Sequence, residues 1–122
     1  MKFSASSRLR SFKYAFSGLR TLLLHEHNSR IHLTAALLAV LMGILLHISP
    51  LEWTVLVGII ALVIITEILN SALEALADHV SPQFSPVIKM VKDYGAAAVL
   101  IASIASGIIG FIIFLPKLLR LL

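Results

Sequence analysis

The sequence predicts an all-α membrane protein with an N-terminal amphipathic surface helix followed by three transmembrane helices. Three observations carry this. Apolar residues make up 59% of the 122 and charged residues only 13%, far from the mix of a soluble domain. Three apolar runs are each long enough to cross a hydrocarbon core of about 30 Å. Ahead of them, MKFSASSRLRSFKYAF is basic and amphipathic. It lacks the apolar core and small-residue cleavage site of a secretory leader, so the chain is expected to be mature from residue 1 and to form one unit over 1–122. The absence of cysteine excludes disulfides and thiolate metal sites. The formal charge of +4 sits beside apolar spans, which favours a phospholipid surface over nucleic acid as partner.

The elements follow in order. Over residues 8–24, Leu9, Phe12, Phe16, Leu19 and Leu23 recur at helical spacing, with Arg10, Lys13 and Arg20 largely on other faces. An interfacial helix within 1–29 is expected, on the membrane surface or packed as a lead-in on the bundle. The first span, within 30–48, ends before Ser49-Pro50. The second runs over 53–78, with Ser49 or Pro50 and Glu52 as first-turn residues. HVSPQFSP, residues 79–86, holds two prolines and predicts a loop. The third span, 92–115, stops at Pro116. Lys2, Arg8, Arg10, Lys13, Arg20 and Arg30 precede the first span and Lys89 and Lys92 flank the third, against Lys117 and Arg120 on the far side. This bias places the N-terminus and the 79–93 segment in the cytoplasm.

The second span ends in TEILNSALEALAD, residues 66–78, and so carries Glu67, Asn70, Glu74 and Asp78. At about 100° per residue these four share an arc of roughly 80°. With the helix entering from outside near Trp53, Glu67 lies roughly 20 Å down and Glu74 roughly 30 Å down. Glu74 and Asp78 then reach the cytoplasmic headgroups, with Glu67 about two turns deeper. Ionisable residues at that depth are costly and point to function. The alternative is a polar patch that glues helices together, for which one Asn or Ser suffices.

EILNSALEALAD, together with KDYGAAAVL at 92–100, resembles the signature of the prokaryotic diacylglycerol kinase family, small three-span membrane enzymes that include undecaprenol kinases. Tyr14, Gly18, Leu19, Glu26 and Lys92-Asp93 extend the likeness over nearly the whole chain. The resemblance implies a homotrimer in a bacterial inner (cytoplasmic) membrane, moving the γ-phosphate of ATP to a lipid hydroxyl at active sites shared between subunits. It implies that Glu67 is the catalytic base and that Glu26 and Glu74 bind Mg²⁺. ATP contacts are implied for Tyr14, Glu26, Glu74, Gln83, Ser85, Lys92 and Asp93. The family's basic position near the start of the surface helix aligns with Ser7, with Arg8 and Arg10 adjacent. Arg10, Asn70, Ser71 and Asp78 are candidates for orienting substrate. The residue types suit the chemistry, because phosphoryl transfer needs a hard divalent cation on carboxylate oxygens and a group to take the hydroxyl proton.

There is no GxxxxGK[ST] loop and no soluble-kinase set of Gly-rich loop, HRD and DFG. His25, His27 and His32 cluster in sequence, but His25 and His27 point to different sides of a helix and no fourth ligand accompanies them, which argues against zinc. EHNSRIH and FIIFLPKLL resemble the undecaprenol branch, whereas Arg30 resembles the diacylglycerol branch; undecaprenol is the expected better substrate. Ala98, Ala102, Ser106 and Gly110 recur every four residues in the third span, as do Ala35, Ala39 and Gly43 in the first, files that allow close helix approach within or between subunits. Three helices alone cannot easily shelter the acidic face, so an oligomer is expected. A proton-coupled transporter or a passive scaffold are the rival functions. From Trp53 to Ile65 the second span offers only Thr54 after its Trp, which disfavours a continuous polar path.

Overall fold

Ser4 opens the first helix by accepting a hydrogen bond from the Ser7 N–H at 3.3 Å, and α1 runs over Ala5–His25. The computed structural model describes residues 3–122, so Lys2, counted among the N-terminal basic residues, lies outside it. Every residue of α1 up to Thr21 is exposed, including Leu9, Phe12 and Phe16. An apolar stripe left open in this way suits a lipid surface.

The helix break falls at Glu26 rather than after residue 29. Glu26 is extended (φ −109°, ψ 110°) and alone separates α1 from α2, His27–Leu45. Its N–H donates to the Leu22 carbonyl at 2.8 Å. Arg30 turns back across the corner, donating from Nε to Leu23 O (2.7 Å) and from a terminal guanidinium nitrogen to Leu24 O (2.8 Å). Carbonyls in a helix's last turn lack intrahelical partners, and a cationic fork is a strong substitute. The break is thus closed by a residue four positions beyond it.

At its other end α2 stops in a left-handed turn. His47 has φ 51°, its N–H donates to Ile44 O at 3.3 Å, and the Ile48 N–H donates to Gly43 O at 3.2 Å. This is the Schellman closure, with its hydrophobic contact made by Ile48 over Gly43. Next, α3 (Pro50–Val80) begins with a reciprocal capping box: Ser49 Oγ accepts from the Glu52 N–H at 3.1 Å and Glu52 Oε1 accepts from the Ser49 N–H at 3.0 Å. Of the residues expected to open this helix, Pro50 and Glu52 lie in its first turn and Ser49 caps it, and the helix runs beyond the expected 53–78 at both ends.

The last helix is longer than its apolar stretch at both ends. Residues 81–85 form the connection, and α4 runs over Pro86–Leu119, starting before residue 92 and continuing through Pro116. Ser85-Pro86 is a helix start, with proline at the first position where its missing N–H costs nothing. Pro116 falls in the last turns, where it forfeits one hydrogen bond, and the adjacent Lys117 is tied by its Nζ to Glu52 Oε1 at 3.0 Å.

Along the bundle, α3 and α4 make the principal helix pair, with α2 touching mainly α3. The buried core, Ile48, Leu56, Ile59, Ile113 and Phe114, lies toward the Trp53 end. Between helices in lipid such side chains contribute through close packing and not through exclusion of water. The acidic stretch lies at the opposite end of α3, so the apolar core anchors one end of the bundle and leaves polar residues at the other. α2, α3 and α4 are each long and apolar enough to cross a membrane.

Candidate active site

Glu67 is the one buried carboxylate of the polar stripe, 6% exposed, and it faces α2. Ser29, 5% exposed, donates from Oγ to Glu67 Oε2 at 3.5 Å. His32 Nε2 stands 3.1 Å from Oε1, at ion-pair distance. The contact is not aligned as a hydrogen bond, and Oε1 has no hydrogen-bond partner among the described residues. Ser29 and His32 are three apart on α2 and so share a face. A buried carboxylate oxygen without a partner costs free energy, about 1–3 kcal/mol or more, and calls for a reason. An apolar cavity of about 280 Å³ between α1, α2 and α3 opens onto Glu67, Ser29 and His32, its walls formed by Leu19, Leu22, Leu23, Leu33 and Ile64. A second apolar cavity, about 370 Å³, begins at His32 and runs between the helices toward Phe114.

One turn beyond Glu67 the stripe turns toward α4. Asn70 Nδ2 makes a long hydrogen bond to Glu74 Oε1 at 3.5 Å, and Asn70 Oδ1 lies against Gly95. Asp78 then pairs with Lys92 of α4, and Lys89 pairs with Asp93 at 2.6 Å. Around this end a cavity of about 340 Å³ collects Asp78, Gln83, Ser85, Lys89, Lys92 and Asp93. A wider one, about 800 Å³ between α1 and α3, collects Tyr14, Gly18, Glu26 and Ser71.

The predicted site residues thus fall into three neighbourhoods. The structure joins Asp78 with Gln83, Ser85, Lys92 and Asp93, and joins Tyr14 with Glu26 and Ser71. Glu67 has a cavity apart from both, and Glu74 has Asn70 as its polar contact. Arg10 is exposed on α1 and borders none of these cavities. Sequence reasoning missed Ser29 altogether and saw His32 only as a histidine of the 25–32 cluster and a branch marker. Their three-residue spacing on the inner face of α2 was the available signal, hidden until the helix start at His27 was known. Lys89, taken as a flanking charge, is the partner of Asp93.

Glu26 and Glu74 offer oxygens of the kind a hard divalent cation takes, though they lie in different neighbourhoods of one chain. Glu26 and Glu74 are half-buried carboxylates, and magnesium takes one or two protein carboxylates with phosphates and water completing its shell. Among the described residues no three His, Cys, Asp or Glu side chains gather into a cage, so a cation here would depend on the phosphates it accompanies.

A buried carboxylate beside an apolar cavity, with a lysine-bearing cavity at one end of a helical membrane bundle, is what a membrane-embedded enzyme acting on a lipid would need. Residues 13–114 match the family described as prokaryotic diacylglycerol kinase, and the chain belongs to that family. It is therefore a lipid kinase, and kinases of this kind use ATP with a divalent metal. It is 37% identical over 119 residues to a diacylglycerol kinase of Synechocystis, covering 97% of this chain and 68% of that one. It is 35% identical over 109 residues to the undecaprenol kinase of Bacillus subtilis, covering 89% of each. It is 38% identical over 95 residues to the diacylglycerol kinase of Escherichia coli, covering 78% of each.

Proposed function

We propose that the enzyme transfers the γ-phosphate of ATP to the hydroxyl of undecaprenol in preference to diacylglycerol, with Glu67 as general base. The observation that carries the base assignment is the buried Glu67 carboxylate, with Oε2 engaged by Ser29 and Oε1 left without a directed partner where an apolar cavity opens. A lipid hydroxyl arriving through that cavity would donate to Oε1, and its proton would pass to the carboxylate as the oxygen attacks the γ-phosphorus and the bond to the β–γ bridging oxygen breaks, releasing ADP. Lys92 and the 83–85 loop, in the polar cavity at the end of α3, are assigned to the nucleotide, with Tyr14 and Glu26 on the α1 side. Asp78 holds Lys92 and Lys89 holds Asp93, so both charges are already oriented. Mg²⁺ held by Glu26 and Glu74 would neutralise charge on the phosphates. Asn70 braces Glu74.

The spread of these residues over three cavities of one chain is in keeping with active sites completed by a neighbouring subunit in a homotrimer. The basic N-terminal side is assigned to the cytoplasm of a bacterial inner membrane by the distribution of Lys and Arg.

For the lipid, the His32 pattern and the FLPKLL ending support undecaprenol, and an isoprenoid is a long thin chain that suits an apolar cavity continuing from His32 toward Phe114. Relatives named diacylglycerol kinase keep that lipid as the second reading. Purified protein with labelled ATP and a panel of undecaprenol, diacylglycerol and ceramide, at matched surface concentration in one detergent, tests the assignment. Higher kcat/KM on undecaprenol is expected. A preference of about tenfold or more for diacylglycerol, near 1.4 kcal/mol in transition-state binding, overturns the choice of lipid.

A further inference from the structure

Four carboxylates and an asparagine of α3 and the corner have assigned roles, but the two polar side chains of α2 that touch Glu67 have none. Ser29 holds Oε2, which stops the carboxylate from rotating freely but leaves Oε1 to find its own position. Among the described residues His32 makes the one ion-pair contact with that oxygen, at 3.1 Å. His32 and Ile64 line both apolar cavities, the one that ends on Glu67 and the one that runs toward Phe114, and of the two only His32 is polar. A lipid hydroxyl that reached Glu67 from the longer cavity would pass His32. Its side chain is 26% exposed, against 7% for Glu67, so it forms the wall between the carboxylate and the open groove.

We infer that His32 is a positioning residue for Glu67: its imidazole, with the proton on Nε2, sets the place and orientation of Oε1 for the approaching lipid hydroxyl. The inference rests on the assignment of Glu67 as base. A buried carboxylate pinned at one oxygen only can swing about that contact, and a displacement of about 1 Å at a reacting group can cost about 10²-fold in rate. The polar Nε2–H edge 3.1 Å from Oε1 restricts the swing by close contact and charge–dipole attraction, and because it is not aligned as a hydrogen bond it leaves the oxygen open to the substrate. His32 does not exchange the substrate proton in this account. Its contribution is to kcat, through geometry at Glu67, and not to the affinity for ATP, whose assigned contacts lie in other cavities.

The test compares His32→Leu, which removes the N–H, with His32→Gln, whose amide retains one. Purified enzyme in detergent is used, with elution profile and circular dichroism matched to the parent. The expected result is a fall in kcat of about tenfold or more for His32→Leu, with KM for ATP and lipid held within about twofold. His32→Gln should recover most of the loss, and His32→Leu should cost nothing further in a Glu67→Gln background. Parental kcat in His32→Leu, a loss confined to KM, or a His32→Gln enzyme as slow as His32→Leu each overturns the proposal. Should His32→Leu not fold, His32→Asn, whose amide is too short to reach Oε1, takes its place and is judged by the same outcomes. Glu67→Gln alone separates the two assignments: retained turnover there removes Glu67 as base, whereas loss there with an unaffected His32→Leu removes only His32.

Discussion

The side-chain amide of Asn70 lies against Gly95 of α4 so closely that a methyl group at position 95 would overlap its Oδ1. Gly95 is buried, and the contact is where the polar stripe of α3 meets the fourth helix. Because Asn70 also reaches Glu74, the absence of a side chain at 95 sets the position of both polar residues. Gly95→Ala is expected to push Asn70 aside and so lower kcat, with little loss of stability, because Asn70 Oδ1 is the end of a side chain that can turn away and alanine suits a helix interior better than glycine. Initial rates and thermal unfolding in detergent read the two quantities, and a Gly95→Ala protein as fast as the parent would contradict the account.

Glu67→Gln preserves the shape of the side chain and removes its basicity. Turnover should fall by about 10² to 10⁴-fold while nucleotide binding stays close to that of the parent. Radiolabelled phosphate transfer and equilibrium nucleotide binding on the same preparation measure the two quantities.

Glu26 closes the α1–α2 corner and Glu74 sits beside Asn70, in different neighbourhoods of one chain. If both hold one Mg²⁺ in the assembled enzyme, Glu26→Gln and Glu74→Gln should each shift the Mg²⁺ dependence to higher concentration, and the double variant should lose little beyond either single one. A Mg²⁺ titration at fixed ATP decides this, with fully additive losses pointing to separate tasks.

His47 carries a left-handed backbone at the end of α2, a conformation that costs a residue with a Cβ roughly 1–2 kcal/mol. His47→Gly should raise stability by about 1 kcal/mol, less the extra chain entropy of glycine, and His47→Val should lower it. Since the turn lies at the opposite end of the bundle from Glu67, kcat should not change. Unfolding midpoints of the two variants, taken alongside initial rates, check both parts.

The acidic stripe was legible because its grouping depends only on helical rotation: Glu67, Asn70, Glu74 and Asp78 share a face in any α-helix through them. Ser29 and Gly95 were not legible, because what matters about them is a contact with a residue tens of positions away in the chain. Arg30 looked like one more basic residue of the N-terminal side and proved to be the fork that caps α1. Ser85-Pro86 was read as loop, although the same pair signals a helix start when an amphipathic turn follows.

By itself, then, the sequence determined the helical membrane class, the start of α3 at Ser49-Pro50, and the placing of carboxylates at one end of a long apolar helix. These follow from local forces: hydrogen bonding within a segment, caps, and the cost of apolar surface in water or of charge in hydrocarbon. Tertiary structure alone decided that Glu67 would be buried against Ser29 and His32, that Asn70 would rest on Gly95, and that Asp78 would hold Lys92. Each of these depends on how α2 and α4 are set around α3, which is fixed by the packing of Ile48, Leu56, Ile59, Ile113 and Phe114 at the far end and by the one-residue break at Glu26. Packing of that kind depends on the shapes of several helices at once, and periodicity along a single chain does not contain it.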